Sequence, residues 1–524
     1  MKMSEILFGQ SYYLRFDPKL LKAMQPYPPL GSLYAASYLR RSGYQVALFD
    51  AMLAESEQAW DEALNLHRPR FAVIYEDNFN YLSKMCLLRM RQAAFKMIAM
   101  ARKQGCTVIL SGSDASDHPE VYLTHGAQYI LIGEGEETLE ELIDALTGKA
   151  ARPLEEIAGL AFYSDTMDLS GEREPRITRT SRRPDIRGLD NLPFPAWDLV
   201  DLERYRRLWV ERHGYFSMNM VTTRGCPYHC NWCAKPIWGQ RYNSRSPENV
   251  VSEMKWLKET YHPDHIAFAD DILGLKPDWL PRFARLIEQE GAAIPFKCLS
   301  RVDLLLRTGE IDALRQAGCQ TVWVGAESGS QKILDAMEKG TRVDQIRETR
   351  QRLKQAGIRV GFFLQFGYPG ETREDIRKTF QLVRDLIPDD IGMSVSYPLP
   401  GTKFYERVRA QLSIKQNWTD SNDMAMLYKG PFSTGFYRKL HSVLHGEFKA
   451  RRNWRKLKNP SLDKYQRMKA LTAFVYYLAT LPVNRLWLEL LALKPHHGII
   501  PVETTLSPSV AAQPSPQDEA CKDG

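Results

Sequence analysis

Short apolar runs and helical stretches alternate along most of the chain. From Ile6 to Gly148, strand-like runs at Ile6–Phe8, Val46–Phe49, Phe71–Tyr75, Val108–Leu110 and Tyr129–Ile132 are separated by amphipathic stretches such as Ser32–Arg41 and Leu87–Lys103. Gly43 and Gly105 stand where helix C-caps belong. Strands alternating with helices predict an α/β fold with a parallel, doubly wound sheet. Such sheets bind ligands in the crevice at the carboxyl ends of their strands. Here those ends carry Glu76-Asp77-Asn78, Ser111-Gly112-Ser113-Asp114 and Gly133-Glu134-Gly135-Glu136, and glycine there lets backbone approach a large ligand closely.

Residues 151–210 read as a linker: a hairpin (Ile157–Tyr163, then Arg176–Thr180) followed by Pro193-Phe194-Pro195, whose prolines favour extended backbone. The alternation resumes over 211–410. Strands are predicted at Met218–Thr222, His265–Ala269, Phe296–Leu299, Thr321–Gly325, Val360–Phe366 and Gly392–Tyr397. Helices are predicted at Pro247–Tyr261, Trp279–Gln289, Ile311–Ala317, Gln331–Met337, Val343–Ala356 and Arg373–Leu386. Residues 411–500 predict a helical extension. In it Phe448–Asn459 sets six Lys/Arg around aromatic and apolar residues, and Ala470–Leu481 is apolar throughout. That run is shorter than the ~20 residues a membrane span needs. A peripheral contact with a membrane surface and a helical cap with a solvated basic face both suit it. The last stretch, 501–524, is rich in Pro, Ser and Ala and reads as disordered.

A length of 524 residues exceeds one ordinary core and implies several domains. Hydrophobic residues at 44% and charged residues at 25% are ordinary for a globular protein, and a formal charge of +7 is too modest to indicate nucleic acid. Eight scattered cysteines do not make a secreted disulfide scaffold, and the N-terminus has no signal-peptide core, so a cytoplasmic location is expected.

Three of those cysteines cluster in Cys226-Pro-Tyr-His-Cys230-Asn-Trp-Cys233. Iron–sulfur cubes usually take four thiolates. Three leave one iron open for chemistry. A structural zinc site needs a fourth ligand, usually from a second pair, and no such pair stands nearby.

The spacing, with an aromatic residue before the third cysteine, resembles the signature of radical S-adenosylmethionine (SAM) enzymes. The six βα units match that superfamily's partial (βα)6 barrel, with the cysteine loop after its first strand. Pro28-Pro29-Leu30-Gly31, the Ser-Gly-Ser loop and Gly133-Glu134-Gly135-Glu136-Glu137-Thr138 resemble the Rossmann-like cobalamin-binding domain that precedes the barrel in one large class. The Asp-x-His-x-x-Gly motif of many cobalamin proteins is absent, so a related domain with an empty cleft stays open as the alternative. The class includes the anaerobic magnesium-protoporphyrin monomethyl ester cyclase and many methyltransferases.

The resemblance implies a [4Fe-4S] cluster on Cys226, Cys230 and Cys233, and SAM contacts from Trp232, Asp270, Asp271, Arg301, Glu327 and Ser328. Cobalamin contacts are implied from Gly31, Asn78, Gly112, Ser113, Gly133, Glu134 and Gly135. Glu327 lies among apolar and small residues and needs a partner for its charge. The implied reaction is radical methylation of an unactivated carbon in a lipid, tetrapyrrole or natural product, fed by a low-potential donor such as flavodoxin or ferredoxin. Oxidative cyclisation is the alternative, and a non-catalytic cobalamin or redox sensor a further one.

Overall fold

The computed structural model describes residues 5–167, 173–233, 237–412 and 415–493. The tail at 501–524 lies outside the described residues. The first sheet takes β1 (Ile6–Gly9), β2 (Val46–Leu48), β3 (Phe71–Tyr75), β4 (Thr107–Ser111), β5 (Tyr129–Leu131), β6 (Leu160–Met167) and β7 (Arg173–Arg179) in the order β2-β1-β3-β4-β5-β6-β7. The first five strands in that order run parallel. The order reverses between β1 and β3, so a crevice opens at their carboxyl ends. Strands β6 and β7 are the expected hairpin, with a correction to its place. β6 pairs antiparallel with β5, from Tyr129 opposite Phe162 to Leu131 opposite Leu160, so the hairpin extends the first sheet's edge. It thereby covers the open side of β5 and makes the sheet mixed.

The second sheet holds β8 (Ser217–Met220), β11 (His265–Phe268), β12 (Phe296–Ser300), β13 (Cys319–Glu327), β14 (Arg359–Phe366) and β15 (Asp390–Val395), all parallel and in sequence order. Between β8 and β11, a short antiparallel pair joins β9 (Thr223–Arg224) to β10 (Asn243–Ser244). This curled, open sheet has the layout of a partial (βα)6 barrel. Two of its helices begin on good caps: Ser246 accepts from Asn249 N ahead of Pro247, and Thr372 and Asp375 form a capping box.

One hydrophobic core runs through the barrel and continues into the flank of the first domain through Leu30, Leu33 and Met90. The two domains are stitched by polar contacts as well. Trp209 donates to the carbonyl of Pro26, Asn219 to that of Pro28, and Asn417 to that of Cys86. Two long helices, Thr434–Leu457 and Lys464–Ala492, form an antiparallel hairpin against the barrel.

Candidate active site

The cysteine loop leaves β8 at the carboxyl end of the barrel, and its approach is fixed by one residue the chain cannot vary. Gly225, immediately before Cys226, has φ +79, and a Cβ there would lie 2.3 Å from the carbonyl oxygen of Arg241. Upstream, Asp270 receives all the donors of two successive threonines. Thr222 N and Thr223 N donate to Oδ1 at 2.7 Å each, and the hydroxyls of Thr222 and Thr223 donate at 3.0 and 2.9 Å. Burial lifts the carboxyl of Asp270 to about 6 even against those hydrogen bonds. Its oxygens are therefore occupied in bracing the start of the cysteine loop.

Within the loop the brace is Asn231. Its backbone N–H donates to the carbonyl of Met337, its amide donates to that of Ala336 at 2.9 Å, and its Oδ1 accepts from the Tyr368 hydroxyl at 2.8 Å. The loop is thus tied from its middle to the end of the helix Gln331–Ala336 and to the segment just after β14. Cys226, Cys230 and Cys233 are half-buried, and Arg301 reaches Cys230 Sγ with Nη1 at 3.8 Å. The Arg301 guanidinium stacks 3.6 Å from the Tyr228 ring centre and is held by Asp303 and by the carbonyl of Lys339.

Glu327 has a partner inside the protein: Lys339 Nζ at 2.9 Å. Its backbone sits at φ +54, where β13 shifts register against β14, which turns the carboxylate to face that lysine. Burial works against the lysine's charge, and the negative charges of Glu327 and Cys230 more than restore it. Ser328 is fully buried and its hydroxyl pairs with Thr379 at 3.2 Å, so it shapes the turn. Trp232 stands beside Lys339 with its Nε1 buried and without a hydrogen-bond partner. Asp271 pairs with Lys84 of the first domain at 2.6 Å.

The carboxyl end of the first sheet faces this loop. Gly31 donates to Asp77 Oδ1 at 3.0 Å, and Ser113 donates to Asn78 Oδ1 at 3.2 Å. At Gly112 and Gly135 the missing side chain makes room for protein: a Cβ would meet Glu76 at 2.9 Å and the Tyr75 ring at 2.8 Å, respectively. Gly133 has open space beside it. Glu134 serves as a joint. With Glu136 it holds Arg224, at 2.9 and 2.7 Å, and it also accepts from Trp238 Nε1 at 2.9 Å. All three charged side chains are 4% exposed or less, and Arg224 lies two residues before Cys226.

Sequence reasoning missed Lys339, Asn231, Arg224 and, above all, Tyr81. Tyr81 begins the helix Tyr81–Met85 after β3 and is 56% exposed. Its phenol is nevertheless pushed up, by the protein surrounding it and then by the charges of Cys233, Glu327 and Asp271. Those charges belong to the cysteine loop and its surroundings, so the Tyr81 phenol lies on the side of the first domain that faces them. Further along, Lys84, Asp117, His118, Tyr397 and Tyr405 line a crevice between the two domains.

The donor sets suit the implied cofactors. Among the described residues no three His, Cys, Asp or Glu converge as ligands of a single ion. A cube needs no such convergence, because each thiolate takes a different iron. In the first domain Gln10 Nε2, Ser11 Oγ, Ser83 Oγ and Ser111 Oγ are buried without hydrogen-bond partners. Amide and hydroxyl groups left unsatisfied near the strand ends fit a ligand edged with amides.

Fold and site define a class: a Rossmann-type domain ahead of a partial barrel that presents three cysteines after its first strand. Residues 220–383 match the model of the Radical SAM superfamily. An uncharacterised methyltransferase of Pyrococcus horikoshii is 28% identical over 396 residues, 75% of this chain and 81% of that one. Two solved structures share the fold. The radical SAM methyltransferase TsrM of Kitasatospora setae, with cobalamin and a [4Fe-4S] cluster bound, has a TM-score of 0.62 at 20% identity over 78% of each chain. The cobalamin-dependent radical enzyme OxsB, with aqua-cobalamin and SAM bound, has a TM-score of 0.66 at 15% identity, covering 93% of this chain and 72% of that one.

Proposed function

We propose that this enzyme is a cobalamin-dependent radical SAM methyltransferase acting on an unactivated carbon of a small-molecule or lipid substrate. The observation that carries the reading is the facing arrangement of the two carboxyl ends, the braced cysteine loop on one side and the first sheet on the other, with Tyr81 between. The relative named a methyltransferase, which aligns with three-quarters of the chain, supports methyl transfer over cyclisation. Cys226, Cys230 and Cys233 would hold the [4Fe-4S] cluster, and the unsatisfied amides and hydroxyls beyond β1 and β4 would hold cobalamin. When bound, the cluster delivers an electron to SAM and the corrinoid carries the methyl group.

The chain's own residues do the positioning. Arg301 places its guanidinium 3.8 Å from the Cys230 sulfur, where its positive charge would sit beside a cluster-bound thiolate. Trp232 Nε1 and the Lys339–Glu327 pair offer polar groups beside the cysteines for the amino acid and ribose ends of SAM. The first domain and the barrel face one another across the site, and bound cofactors and substrate filling it would displace water from a reactive carbon intermediate.

The test is anaerobic reconstitution with iron, sulfide and hydroxocobalamin, followed by SAM labelled in its methyl group and a low-potential reductant. Label transferred to the corrinoid, together with 5′-deoxyadenosine, is the expected result. Cys230→Ser should abolish both while corrinoid binding persists. Corrinoid retention without label transfer or SAM cleavage in the fully loaded wild type would instead identify a sensor.

A further inference from the structure

The helix Lys464–Ala492 is about 44 Å long by its residue count. Only one side of it is used. Phe474, Tyr477 and Leu488 turn to the core, and Ala470 and Leu481 are the helix's buried residues. The opposite side carries Met468, Leu471, Val475, Leu478, Leu486 and Leu490, each between 50% and 67% exposed. These positions recur at helical spacing and form one face. Between Lys469 and Leu493 the charged residues are Arg485 and Glu489, and both turn to protein partners, Glu447 and Arg373. Both are about half exposed and paired, so the outer face carries no unpaired charge between Lys469 and Leu493 among the described residues. Exposed apolar faces of this extent mark interaction sites.

At one end this face runs into the tip of the helical hairpin. There Arg451, Arg452, Arg455, Lys456, Lys458, Lys464, Arg467 and Lys469 stand against a single acid, Asp463. That excess of seven equals the formal charge of the whole chain, +7. The rest of the molecule is neutral in sum, so the tip carries the chain's whole excess of positive charge. Trp454, Tyr465 and Trp487 are 48%, 74% and 55% exposed around the same surface. Apolar face, cationic end and rings at the margin are the features of a helix lying in a lipid interface. Among the described residues no helix is long and apolar enough to cross a bilayer.

We propose that the C-terminal hairpin docks the enzyme on an anionic membrane surface, with the outer face of Lys464–Ala492 lying in the interface and the basic tip on acidic headgroups. The inference is independent of the reaction proposed above, and its test needs no turnover. Full-length protein is mixed with vesicles of phosphatidylcholine containing about one quarter phosphatidylglycerol, and with pure phosphatidylcholine, over a range of salt.

Binding to the anionic vesicles is expected, weakening with salt, with tryptophan emission shifting to the blue. Arg451→Gln/Arg455→Gln/Lys456→Gln should lower affinity on the order of a hundredfold, from about fivefold per charge. Leu471→Glu/Leu478→Glu/Leu490→Glu should abolish binding without lowering the melting temperature, because these side chains lie outside the core. Light scattering should give the same mass for wild type and both variants in free solution. Absence of vesicle binding overturns the proposal. So does binding indifferent to the tip charges, or a dimer that the Leu→Glu variant disperses.

Discussion

Arg224 offers the sharpest test of how the cysteine loop is held to the first domain. Its guanidinium reaches Glu134 and Glu136 at 2.9 and 2.7 Å, with all three side chains 4% exposed or less. Burial opposes its charge, and the two carboxylates more than offset that. Burial also holds Glu134 above the usual carboxylate range despite the arginine. Arg224→Gln would leave two carboxylates in a dry joint with no cation between them. Removing one partner from a buried pair costs about 3–5 kcal/mol, whereas replacing a whole buried network by neutral groups of similar size is often near neutral. The single variant should therefore be destabilised by about 3–5 kcal/mol. The triple variant Arg224→Gln/Glu134→Gln/Glu136→Gln should recover most of that loss. Urea denaturation followed by tryptophan fluorescence measures both, since Trp238 donates to Glu134 and senses the joint directly. Iron content after reconstitution gives a second readout, because the arginine lies two residues from Cys226. A single variant as stable as wild type, or a triple variant no better than the single, would show that the joint contributes little.

Two other perturbations separate neighbouring effects. Glu371 is buried and its carboxyl is pushed up to about 8, chiefly by burial, while Gly367 N donates to it at 2.7 Å. The native state thus holds a proton that the unfolded chain releases near 4.5, so stability falls as pH rises from about 4.5 through 8, by up to ~1.4 kcal/mol per pH unit. Glu371→Gln should flatten the dependence of the denaturation midpoint between pH 6 and 8, and an unchanged slope would refute the assignment. Tyr81→Phe keeps the ring and removes only the hydroxyl. It should leave iron content and melting temperature at wild-type values while lowering the rate of SAM-dependent methyl transfer, and an unaltered rate would place the hydroxyl outside the reaction space.

The barrel was legible because its strands and helices carry strong local signals. Helices Pro247–Tyr261, Trp279–Gln289 and Arg373–Leu386 fall on their predicted bounds, and two of them start at caps visible in the sequence. The hairpin β6–β7 was visible as a hairpin, yet its attachment to β5 is a long-range pairing that no local pattern encodes. The same holds for the site. Glu327 announced its need for a partner by standing among apolar residues, but Lys339 reaches it across a helix and a turn. Asn231 lay inside the cysteine motif and carried a positional signal. Its grip on Tyr368 depends on how β14 ends. Tyr81 gave none, since an aromatic residue after a strand is ordinarily core. The outer face of Lys464–Ala492 escaped for a related reason: a helix apolar on both sides shows no period that would separate an inner face from an outer one.

Asp270 and Asp271 show why a carboxylate at a strand end does not by itself identify a ligand. Both end the same strand and both were candidates for the same contact. Asp270 is 2% exposed and accepts from four donors, so a cofactor amine would have to displace hydrogen bonds that hold the cysteine loop in place. Asp271 faces the opposite way along the chain and spans the domain gap to Lys84, whose ammonium also lies 5.3 Å from the Trp238 ring centre. One aspartate therefore fixes the loop within the barrel, and its neighbour links the barrel to the first domain. The polar groups beside the cysteines are Arg301, Trp232 Nε1 and the Lys339–Glu327 pair, which come from three separate segments of the barrel. The three cysteines are local in sequence, while the polar groups around them are assembled only by the fold.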